Sequence, residues 1–302
     1  MSIVDDDMVP LPGGEFTMGS DDFYPDERPA HRRRVAPFLL DRHAVTNADF
    51  ARFVADTGYV TVAERGLPAS DYPELSDEER EPGSLVFTPT TGPVDLADWR
   101  QWWRWQPGAD WRHPEGPDSS IDERMRHPVV QVAYADAVAY AQWAGKRLPT
   151  EAEAEYAARG GRDGVPYAWG DEPFPDGVAQ ANTWIGRFPY DHRGPFGAST
   201  APVGSFPANG FGLFDTIGNV WEWTSDVYAP RHAAPGSRPV DRGLRADLLA
   251  ASADAGPVRR VLKGGSYLCA PEYCLRFRPA ARSPQTEDTA TTHIGFRCAR
   301  DA

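Results

Sequence analysis

The sequence predicts a single compact domain that mixes short strands and helices but has little regular secondary structure. Its 302 residues include 28 glycines and 29 prolines, a composition that favours turns over long helices. Aromatic residues make up 12% of the chain and include 10 tryptophans, whose large buried areas can hold irregular loops in place. No internal repeat or flexible linker is evident, so we expect one domain spanning residues 1–302.

Strand signals are short and scattered along the chain. Residues 8–20 read as two strands on either side of the turn Pro12-Gly13-Gly14. The segment His127-Pro-Val-Val-Gln-Val is predicted to form another strand. Further strands are expected at residues 38–40 with Ala44 and Val45, and near Val203, 221–224, 261–263 and 295–298.

Helix signals come from caps and apolar spacing. Two predicted helices open on capping boxes, Thr46 with Asp49 and Thr150 with Glu153. Glycines should end them, at Gly58 and at Gly160. A third helix is predicted over residues 135–145, with a buried face made of Ala135, Val138, Ala139 and Trp143.

Between residues 63 and 126 the periodic pattern gives way to acidic stretches and a tryptophan cluster. Its members are Trp99, Trp102, Trp103, Trp105 and Trp111. One interpretation is an insertion whose rings pack onto the core. The other is an aromatic wall beside a peptide-binding groove.

Charge and hydropathy exclude several classes of partner. The chain carries 44 acidic and 31 basic residues, a net charge of -13, which disfavours nucleic acid because phosphate binding needs a basic surface. The mean hydropathy of -0.53 and the lack of a long apolar run argue against a membrane span. Residues 1–7 do not resemble a secretory signal, so we expect a cytoplasmic location.

Two of the three cysteines, Cys269 and Cys274, lie in one short glycine-led segment. On a helix their five-residue separation turns about 500°, so the thiols would point apart. On a straight strand they would lie about 16 Å apart on opposite faces. The thiols can meet only if the chain bends between them, and Ala270-Pro271-Glu272 supplies a turn former.

If the sulfurs meet, three interpretations remain open: a structural or redox disulfide, a soft-metal site, or two buried cysteines that act as small apolar residues. Two thiolates are too few ligands for a closed structural zinc site. Their softness suits Cu(I), with room for a further ligand. Arg276 and Arg278 lie close enough in sequence to favour the thiolate form.

Segments along nearly the whole chain resemble the formylglycine-generating enzymes, also called sulfatase-modifying factors. Most of them belong to a wider superfamily and identify its fold: Leu11-Pro-Gly-Gly-Glu-Phe-Thr-Met-Gly-Ser, Val45-Thr-Asn-Ala-Asp-Phe, Trp143-Ala-Gly-Lys-Arg-Leu-Pro-Thr-Glu-Ala-Glu, Asn209-Gly-Phe-Gly-Leu-Phe-Asp and Gly218-Asn-Val-Trp-Glu-Trp-Thr-Ser-Asp. The catalytic subgroup is marked by Gly264-Gly-Ser-Tyr-Leu-Cys, followed by Tyr273-Cys, Arg276-Phe-Arg and Ala280-Ala-Arg-Ser. This chain has all of these subgroup motifs.

The resemblance implies a fold, a reaction and a metal. The fold would be α+β, a variant of the C-type lectin fold with little regular secondary structure. The implied reaction is oxidation by O2 of a cysteine in a Cys-x-Pro-x-Arg segment of an unfolded or nascent sulfatase, with Cα-formylglycine as product. The family's Cu(I) would be held by Cys269 and Cys274.

Further residues receive roles from the same resemblance. Ser266 matches a pocket serine near the oxygen site, Trp221 and Tyr273 match aromatic residues of the pocket, and Arg276 would lie near the thiols. His293 stands where many members have Asn, and we expect it to be a structural histidine of the surface or core.

The family also has structural Ca²⁺ sites built from oxygen ligands. One set maps onto the side chains of Asp215 and Glu222 and the carbonyls of Gly218 and Val220. A second set maps in part onto Asn182 and the Thr183 carbonyl. The loop that follows lacks the usual Asp, and Asp191 is the candidate substitute.

Three other functions compete with this interpretation. A non-catalytic binding module of the same fold would not be expected to keep both cysteines. An iron-dependent sulfoxide synthase would need histidine ligands, and no two of the seven histidines form a His-x-x-x-His motif. A thiol/disulfide redox sensor that uses Cys269 and Cys274 remains open.

Overall fold

Short strands outnumber helices in the computed structural model, which describes residues 7–70, 72–73, 76–233 and 257–302. Within these ranges the helices are α1 Asn47–Thr57, α2 Val62–Arg65, α3 Asp77–Arg80, α4 Tyr134–Trp143 and α5 Glu151–Arg159. The strands are β1 Met8–Leu11, β2 Gly14–Met18, β3 His31–Val35, β4 Phe38–Asp41, β5 Gly83–Phe87, β6 Trp103–Pro107, β7 Gly186–Arg187, β8 Asp191–His192, β9 Trp221–Val227, β10 Arg259–Lys263, β11 Arg282–Thr286, β12 Ile294–Gly295 and β13 Ala299–Asp301. The predicted α+β class with little regular secondary structure is confirmed.

Two small sheets organise these strands, with paired hairpins around them. A four-stranded sheet has the order β11-β10-β9-β12, in which only β12 runs parallel to its neighbour β9. A three-stranded sheet has the order β1-β4-β13, so the two ends of the chain pair with the same strand. The remaining pairs are β2-β3, β5-β6 and β7-β8. Strand β10 leads directly into Gly264 and the cysteine segment, so the larger sheet positions that segment.

An aromatic core joins α1 and α4 to the larger sheet. Phe50 packs edge-on against Trp111 at 5.1 Å and in a stacked arrangement against Tyr140 at 6.0 Å, and Tyr140 meets Phe296 at 5.3 Å. Cys269 belongs to the same buried cluster. The cysteine segment is therefore packed against the main core.

The predicted helix caps are confirmed in detail. The Thr46 side chain accepts the Asp49 N–H, the Asp49 carboxylate accepts the Thr46 N–H, and Gly58 ends α1 with a left-handed φ of 66°. Helix α5 repeats this arrangement with Thr150 and Glu153, and Gly160 ends it with φ 58°. The strands predicted within residues 8–20, at 38–40, 221–224 and 261–263 are also present, although Ala44 and Val45 lie outside β4.

Two predicted strands are wrong. In the segment 127–132, residues 128–132 are buried, but the segment forms only an isolated bridge, Thr46 with Pro128, because Gln131 turns to a left-handed φ of 60°. Val203 lies in a turn, where its N–H donates to the Arg126 carbonyl. Of residues 295–298, only Gly295 belongs to a strand.

Helix α4 is present, and its predicted buried face is confirmed in part, since Val138, Ala139 and Trp143 are half-buried and pack against the core. Ala135 is exposed, and the buried residues are Asp136, Ala137, Tyr140 and Ala141. The Asp136 carboxylate accepts hydrogen bonds from the Ala133 N–H, the Val62 N–H and the Tyr59 hydroxyl. A satisfied carboxylate can be buried, so an acidic residue takes a place that the apolar pattern could not predict.

No helix within the described ranges combines the length and the apolar character that a bilayer crossing requires.

A fully buried ion pair fastens the N-terminal part of the chain to the cysteine segment. Both Arg278 terminal nitrogens donate to the Glu27 carboxylate, at 2.9 and 2.5 Å, and both side chains are 0% exposed. Arg278 Nε also donates to the Leu275 carbonyl at 2.8 Å, and its guanidinium lies 3.6 Å from the centre of the Phe23 ring. All three guanidinium nitrogens of Arg278 therefore donate hydrogen bonds, and the guanidinium plane also lies close to an aromatic ring.

Substituting Glu27→Gln should lower the free energy of unfolding by about 3–5 kcal/mol, because it leaves the Arg278 charge buried without its counter-ion. Chemical denaturation of the full chain measures the change. Asp98→Asn is the matched control, since the Asp98–Arg100 pair is 3.5 Å apart with side chains 44% and 76% exposed, and it should lose less than about 1 kcal/mol. Equal losses for the two variants would contradict the role of burial.

Candidate active site

The bend between the two cysteines brings their thiols together. The Cys274 N–H donates to the Ala270 carbonyl at 2.7 Å, and the Tyr273 N–H donates to the same oxygen at 3.0 Å. This tight turn places the two sulfurs 3.3 Å apart. That distance is a hydrogen-bond contact and exceeds the roughly 2.05 Å of a disulfide, so both cysteines are free thiols. The bend that the thiols need in order to meet is therefore present at Ala270-Pro271-Glu272.

Glycine and serine set the entry to this turn. Gly265 has a φ of 76°, and a Cβ there would lie 2.8 Å from the Arg276 carbonyl oxygen, so only glycine lets the two segments pack this closely. Ser266 is fully buried. Its N–H donates to Cys269 Sγ at 3.4 Å, and its hydroxyl oxygen accepts the Leu268 N–H at 3.3 Å. Ser266 thus orients the first thiol through its backbone and braces the turn through its side chain.

Lys263 anchors the same segment from the other side. Its ammonium lies 3.0 Å from a carboxylate oxygen of Glu155 in helix α5, and both side chains are buried. The other oxygen of Glu155 accepts hydrogen bonds from Arg159 at 2.7 Å and from the Gly19 N–H at 2.8 Å. These positive partners overcome the cost of burial and lower the pKa of Glu155 to about 2. The carboxylate therefore stays ionised and fixes the end of β10 to α5.

The two thiols divide their protons unequally. Burial raises the pKa of Cys269 well above its ordinary value, and the neighbouring Cys274 adds to this rise. The hydrogen bond from Cys269 lowers the pKa of Cys274, and the positive charge of Arg276 lowers it further. When the pair loses one proton, the thiolate therefore forms on Cys274, where the protonated thiol of Cys269 stabilises it.

Arg276 is held beside the thiols by the N-terminal segment. Its guanidinium donates to the Asp26 carboxylate at 3.0 Å, lies 4.0 Å from the centre of the Tyr24 ring and also contacts the Arg282 carbonyl. The Tyr24 hydroxyl in turn accepts the Leu275 N–H at 3.0 Å. Arg276 therefore has a fixed position near Cys274, with its charge compensated by Asp26.

The thiols open onto a cavity of about 360 Å³ with aromatic walls. Tyr273 stacks on Phe188 with a centroid separation of 4.5 Å and an interplanar angle of 1°, and Trp102 meets Tyr273 edge-on at 5.3 Å. All six residues that the sequence singled out for catalysis line this cavity: Trp221, Ser266, Cys269, Tyr273, Cys274 and Arg276. The structure therefore brings all six residues to one cavity. The individual role of each residue stays a prediction.

His293 lines the cavity, although it was expected to be a structural histidine of the surface or core. Its ring lies 4.8 Å from that of Trp103, and its Nδ1 is 2.9 Å from the Thr291 hydroxyl. Burial lowers the pKa of His293 to about 3, so the ring is neutral at physiological pH. The sequence did contain a signal for this position. Many family members have Asn where this chain has His293, and both side chains place a polar group at a similar distance from the backbone.

The tryptophan cluster contributes both to the core and to the wall of the cavity. Trp102 and Trp111 are buried, as expected of an insertion packed on the core. Trp102 and Trp103 also line the cavity, and the binding of a peptide beside them stays a prediction. Trp99 and Trp105 are 46% and 36% exposed.

The donor set suits a soft metal ion that accepts two sulfur ligands. Within the described part of the chain, no group of three or more His, Cys, Asp or Glu side chains could hold a metal ion. A four-coordinate zinc site is therefore a poor match for this pair, and two thiol sulfurs beside an open cavity match the preference of Cu(I). Cys269 and Cys274 would be the residues that hold it.

The first calcium set fits its role in part. One oxygen of Asp215 accepts the Gly204 N–H at 2.7 Å, and no described residue donates to the Gly218 or Val220 carbonyl. The pKa of Asp215 is raised by burial and by the nearby negative charge of Glu222. Both oxygens of Glu222, however, accept hydrogen bonds from Arg297 at 2.7 Å. Asp215 and Glu222 are therefore close enough to interact, but Glu222 is already paired with Arg297, and calcium binding here stays a prediction.

The second calcium set is less complete. Asn182 is buried, and its amide nitrogen donates to the Ser199 carbonyl at 3.0 Å and to Asn219 Oδ1 at 3.1 Å. Thr183 is also buried. Asp191, the candidate substitute, pairs with Arg193 at 2.6 Å in the β7-β8 hairpin. A second calcium site therefore stays a prediction.

Comparison with known proteins assigns a family to this geometry. Residues 3–302 match the model of the sulfatase-modifying factor enzyme 1-like domain. A formylglycine-generating enzyme from Mycobacterium tuberculosis is 60% identical over 296 residues, covering 98% of each chain. A Mus musculus protein named inactive C-alpha-formylglycine-generating enzyme 2 is 38% identical, covering 98% of this chain and 86% of its own.

A solved structure agrees with the fold. PvdO from Pseudomonas aeruginosa superposes with a TM-score of 0.62 at 27% identity, covering 98% of this chain and 94% of that one. The match to the family model covers residues 3–302, and the Mycobacterium tuberculosis enzyme is 60% identical, so both comparisons indicate the same family. This chain belongs to the sulfatase-modifying factor enzyme 1-like family, that of the formylglycine-generating enzymes.

Proposed function

We propose that this protein oxidises a cysteine within a Cys-x-Pro-x-Arg segment of an unfolded or nascent sulfatase to Cα-formylglycine, with O2 as oxidant and Cu(I) as cofactor. The observation that carries the proposal is the 3.3 Å separation of the Cys269 and Cys274 sulfurs at the wall of an aromatic cavity. A fold relative without this chemistry has no evident need for two free thiols in contact. The family assignment supports the same reaction.

The thiol pair prepares a soft-metal site next to the place where a client cysteine would enter. Ionisation of Cys274, favoured by Cys269 and Arg276, supplies a thiolate ligand without a separate base. Copper bound there would supply the one-electron chemistry with O2 that protein side chains lack. Ser266 keeps the Cys269 sulfur in place through its N–H.

The cavity walls position the client and limit water. Stacked Tyr273 and Phe188, with Trp102 behind them, form a rigid apolar surface beside the sulfurs. Such a surface orients an incoming thiol and lowers the local dielectric, which strengthens every charge interaction there. Neutral His293, Ser266 and Ser283 are among the polar residues that line the cavity, and Arg276 adds a positive charge.

A redox sensor is the second candidate. The same 3.3 Å contact places the sulfurs close enough to form a disulfide after a small movement. A sensor would need the pair but would not convert a peptide. A non-catalytic module, such as the name of the mouse relative describes, would need neither activity.

Reduced protein supplied with Cu(I) should convert a peptide containing Cys-Thr-Pro-Ser-Arg to its aldehyde in air, as measured by mass spectrometry. Cys269→Ala and Cys274→Ala should each lower kcat/KM by at least about 100-fold, because one sulfur cannot hold the metal alone. Cys298→Ala is the matched control, since this third cysteine is buried in the core and does not line the cavity.

Turnover that survived loss of either paired cysteine would refute their assigned roles. Absence of turnover by the wild-type protein, together with reversible loss of two titratable thiols on mild oxidation, would favour the sensor.

In the metal-free, reduced protein, Cys274 should be alkylated by iodoacetamide at pH 7 faster than a free cysteine. The lowered pKa leaves more thiolate at that pH, and the rate should reach half its maximum below the ordinary thiol pKa. Cys269→Ala removes the hydrogen bond to the thiolate and should shift this midpoint upward. Cys298, whose pKa burial raises, is the internal control and should stay unmodified in the folded chain. Peptide mapping at several pH values measures the rate of alkylation at each cysteine. An unchanged midpoint for Cys274 in Cys269→Ala would contradict proton sharing between the two thiols.

We also propose that Ca²⁺ binds at Asp215 and the carbonyls of Gly218 and Val220, with Glu222 contributing if Arg297 releases one of its oxygens. Saturating Ca²⁺ should stabilise the folded chain by about 2.7 kcal/mol at 100 times its dissociation constant, seen as a rise in Tm. Asp215→Ala should abolish the rise, and Asp122→Ala, an exposed carboxylate, should retain it. The same rise in both variants would exclude this site.

A further inference from the structure

The β5-β6 hairpin presents one open edge next to the thiol cavity. Its register pairs Leu85 with Trp105 and Phe87 with Trp103. Just beyond the ladder, the Thr88 N–H donates to the Trp102 carbonyl at 2.8 Å, and the Gly108 N–H donates to the Pro82 carbonyl at 2.9 Å. Because hydrogen-bonded pairs alternate along an antiparallel ladder, the bonds to β5 fall on the even-numbered residues of β6. The N–H and C=O groups of Trp103 and Trp105 therefore point away from β5.

These four backbone groups are without partners within residues 7–70, 72–73, 76–233 and 257–302. Strand β6 pairs only with β5, and none of the other hydrogen bonds uses the Trp103 or Trp105 backbone. On the opposite side of the hairpin the edge is closed, since the Leu85 N–H donates to Ala290 and the Leu85 carbonyl accepts the Thr292 N–H, each at 3.3 Å. An open strand edge is a template for a further strand.

The side chains on this edge connect it to the cavity. Trp103 and Trp105 are two positions apart and so share one face of the strand. Trp103 lines the cavity and contacts His293, whereas Trp105 is 36% exposed. Charged residues and prolines usually protect a free edge from pairing with another strand. In β6, Arg104 lies between the two tryptophans and Pro107 lies after them, so neither occupies a position with open backbone groups. At the two positions with open backbone groups the chain carries large aromatic rings.

We propose that a client segment next to the reacting cysteine adds as an extended strand to the outer edge of β6, in register with Trp103 and Trp105. The inference rests on the proposed function, because it uses the cavity as the place where the client cysteine reacts. Main-chain hydrogen bonds would give affinity without requiring a particular sequence, and the two rings would favour proline, apolar side chains or an arginine. Strand addition also requires an unfolded client, since a folded one has no free backbone to offer.

Two substitutions at one position separate the backbone from the ring. Trp105→Ala removes the ring and keeps the N–H, whereas Trp105→Pro removes both. Because the Trp105 N–H does not bond to β5, proline is compatible with this edge of the hairpin. The difference between the variants therefore reports the main-chain hydrogen bond alone.

The test compares three peptides with the Cu(I)-supplied full chain: the pentapeptide Cys-Thr-Pro-Ser-Arg, and the same peptide extended by six residues on its N-terminal or its C-terminal side. We expect Trp105→Pro to raise KM relative to Trp105→Ala by about three- to tenfold for one extended peptide. We expect no difference for the pentapeptide and no change in kcat. N-methylation of alternate amides in the affected extension should reproduce the loss with wild-type protein, which keeps the test valid if the proline variant does not fold.

Equal KM values for the two variants with both extended peptides would overturn the inference while leaving the activity intact. If the wild-type protein shows no turnover, the proposed function fails, and anisotropy with labelled extended peptides still compares the two variants for binding. A second copy of the chain could also occupy the edge. Sedimentation showing a dimer that Trp105→Pro dissociates, with unchanged peptide KM, would count against a client strand.

Discussion

Contact between the sulfurs of Cys269 and Cys274 depends on a tight turn. No long helix or strand in the described part of the chain holds this turn in place. The turn itself is local, with two N–H groups on the Ala270 carbonyl. Its surroundings are not: the segment before it is tied to α5 through Lys263, and the segment after it is tied to the N-terminal region through Arg276 and Arg278. Distant parts of the chain therefore hold this one bend in place. The distance between the two sulfurs depends on contacts from across the fold.

Buried ion pairs do much of this positioning. Arg278–Glu27, Lys263–Glu155 and Arg282–Glu151 all join segments more than 100 residues apart, and all are largely buried. Such pairs add little net stability over apolar packing, because desolvation offsets most of the attraction. We infer that their contribution is to specify which segments pair, since a mismatched buried charge would be costly. In a chain with short strands, this specificity replaces the register that long elements would provide.

The sequence predicted the local features of this fold better than its long-range ones. Thr46, Thr150 and their acidic partners act within four residues, so their caps could be read directly. The burial of Asp136 in α4 could not be read in this way, because its carboxylate is satisfied by Tyr59 and Val62 from another part of the chain. The strand predicted at 127–132 failed for a related reason, since a left-handed Gln131 interrupts an otherwise extended apolar run.

The same distinction applies to the candidate site. Six cavity residues could be named because family motifs mark them, whereas Phe188, Trp102 and Trp103 come from segments whose position no motif fixes. These three rings form part of the wall of the cavity onto which the thiols open. A superposition such as that with PvdO, at a TM-score of 0.62 and 27% identity, follows the scaffold and cannot by itself report on those walls. The scaffold brings two thiols together, and the loops around it decide what can reach them. Relatives that share the first feature can therefore differ in the second, so the chemistry of this family has to be judged at the cavity wall as well as at the sulfurs.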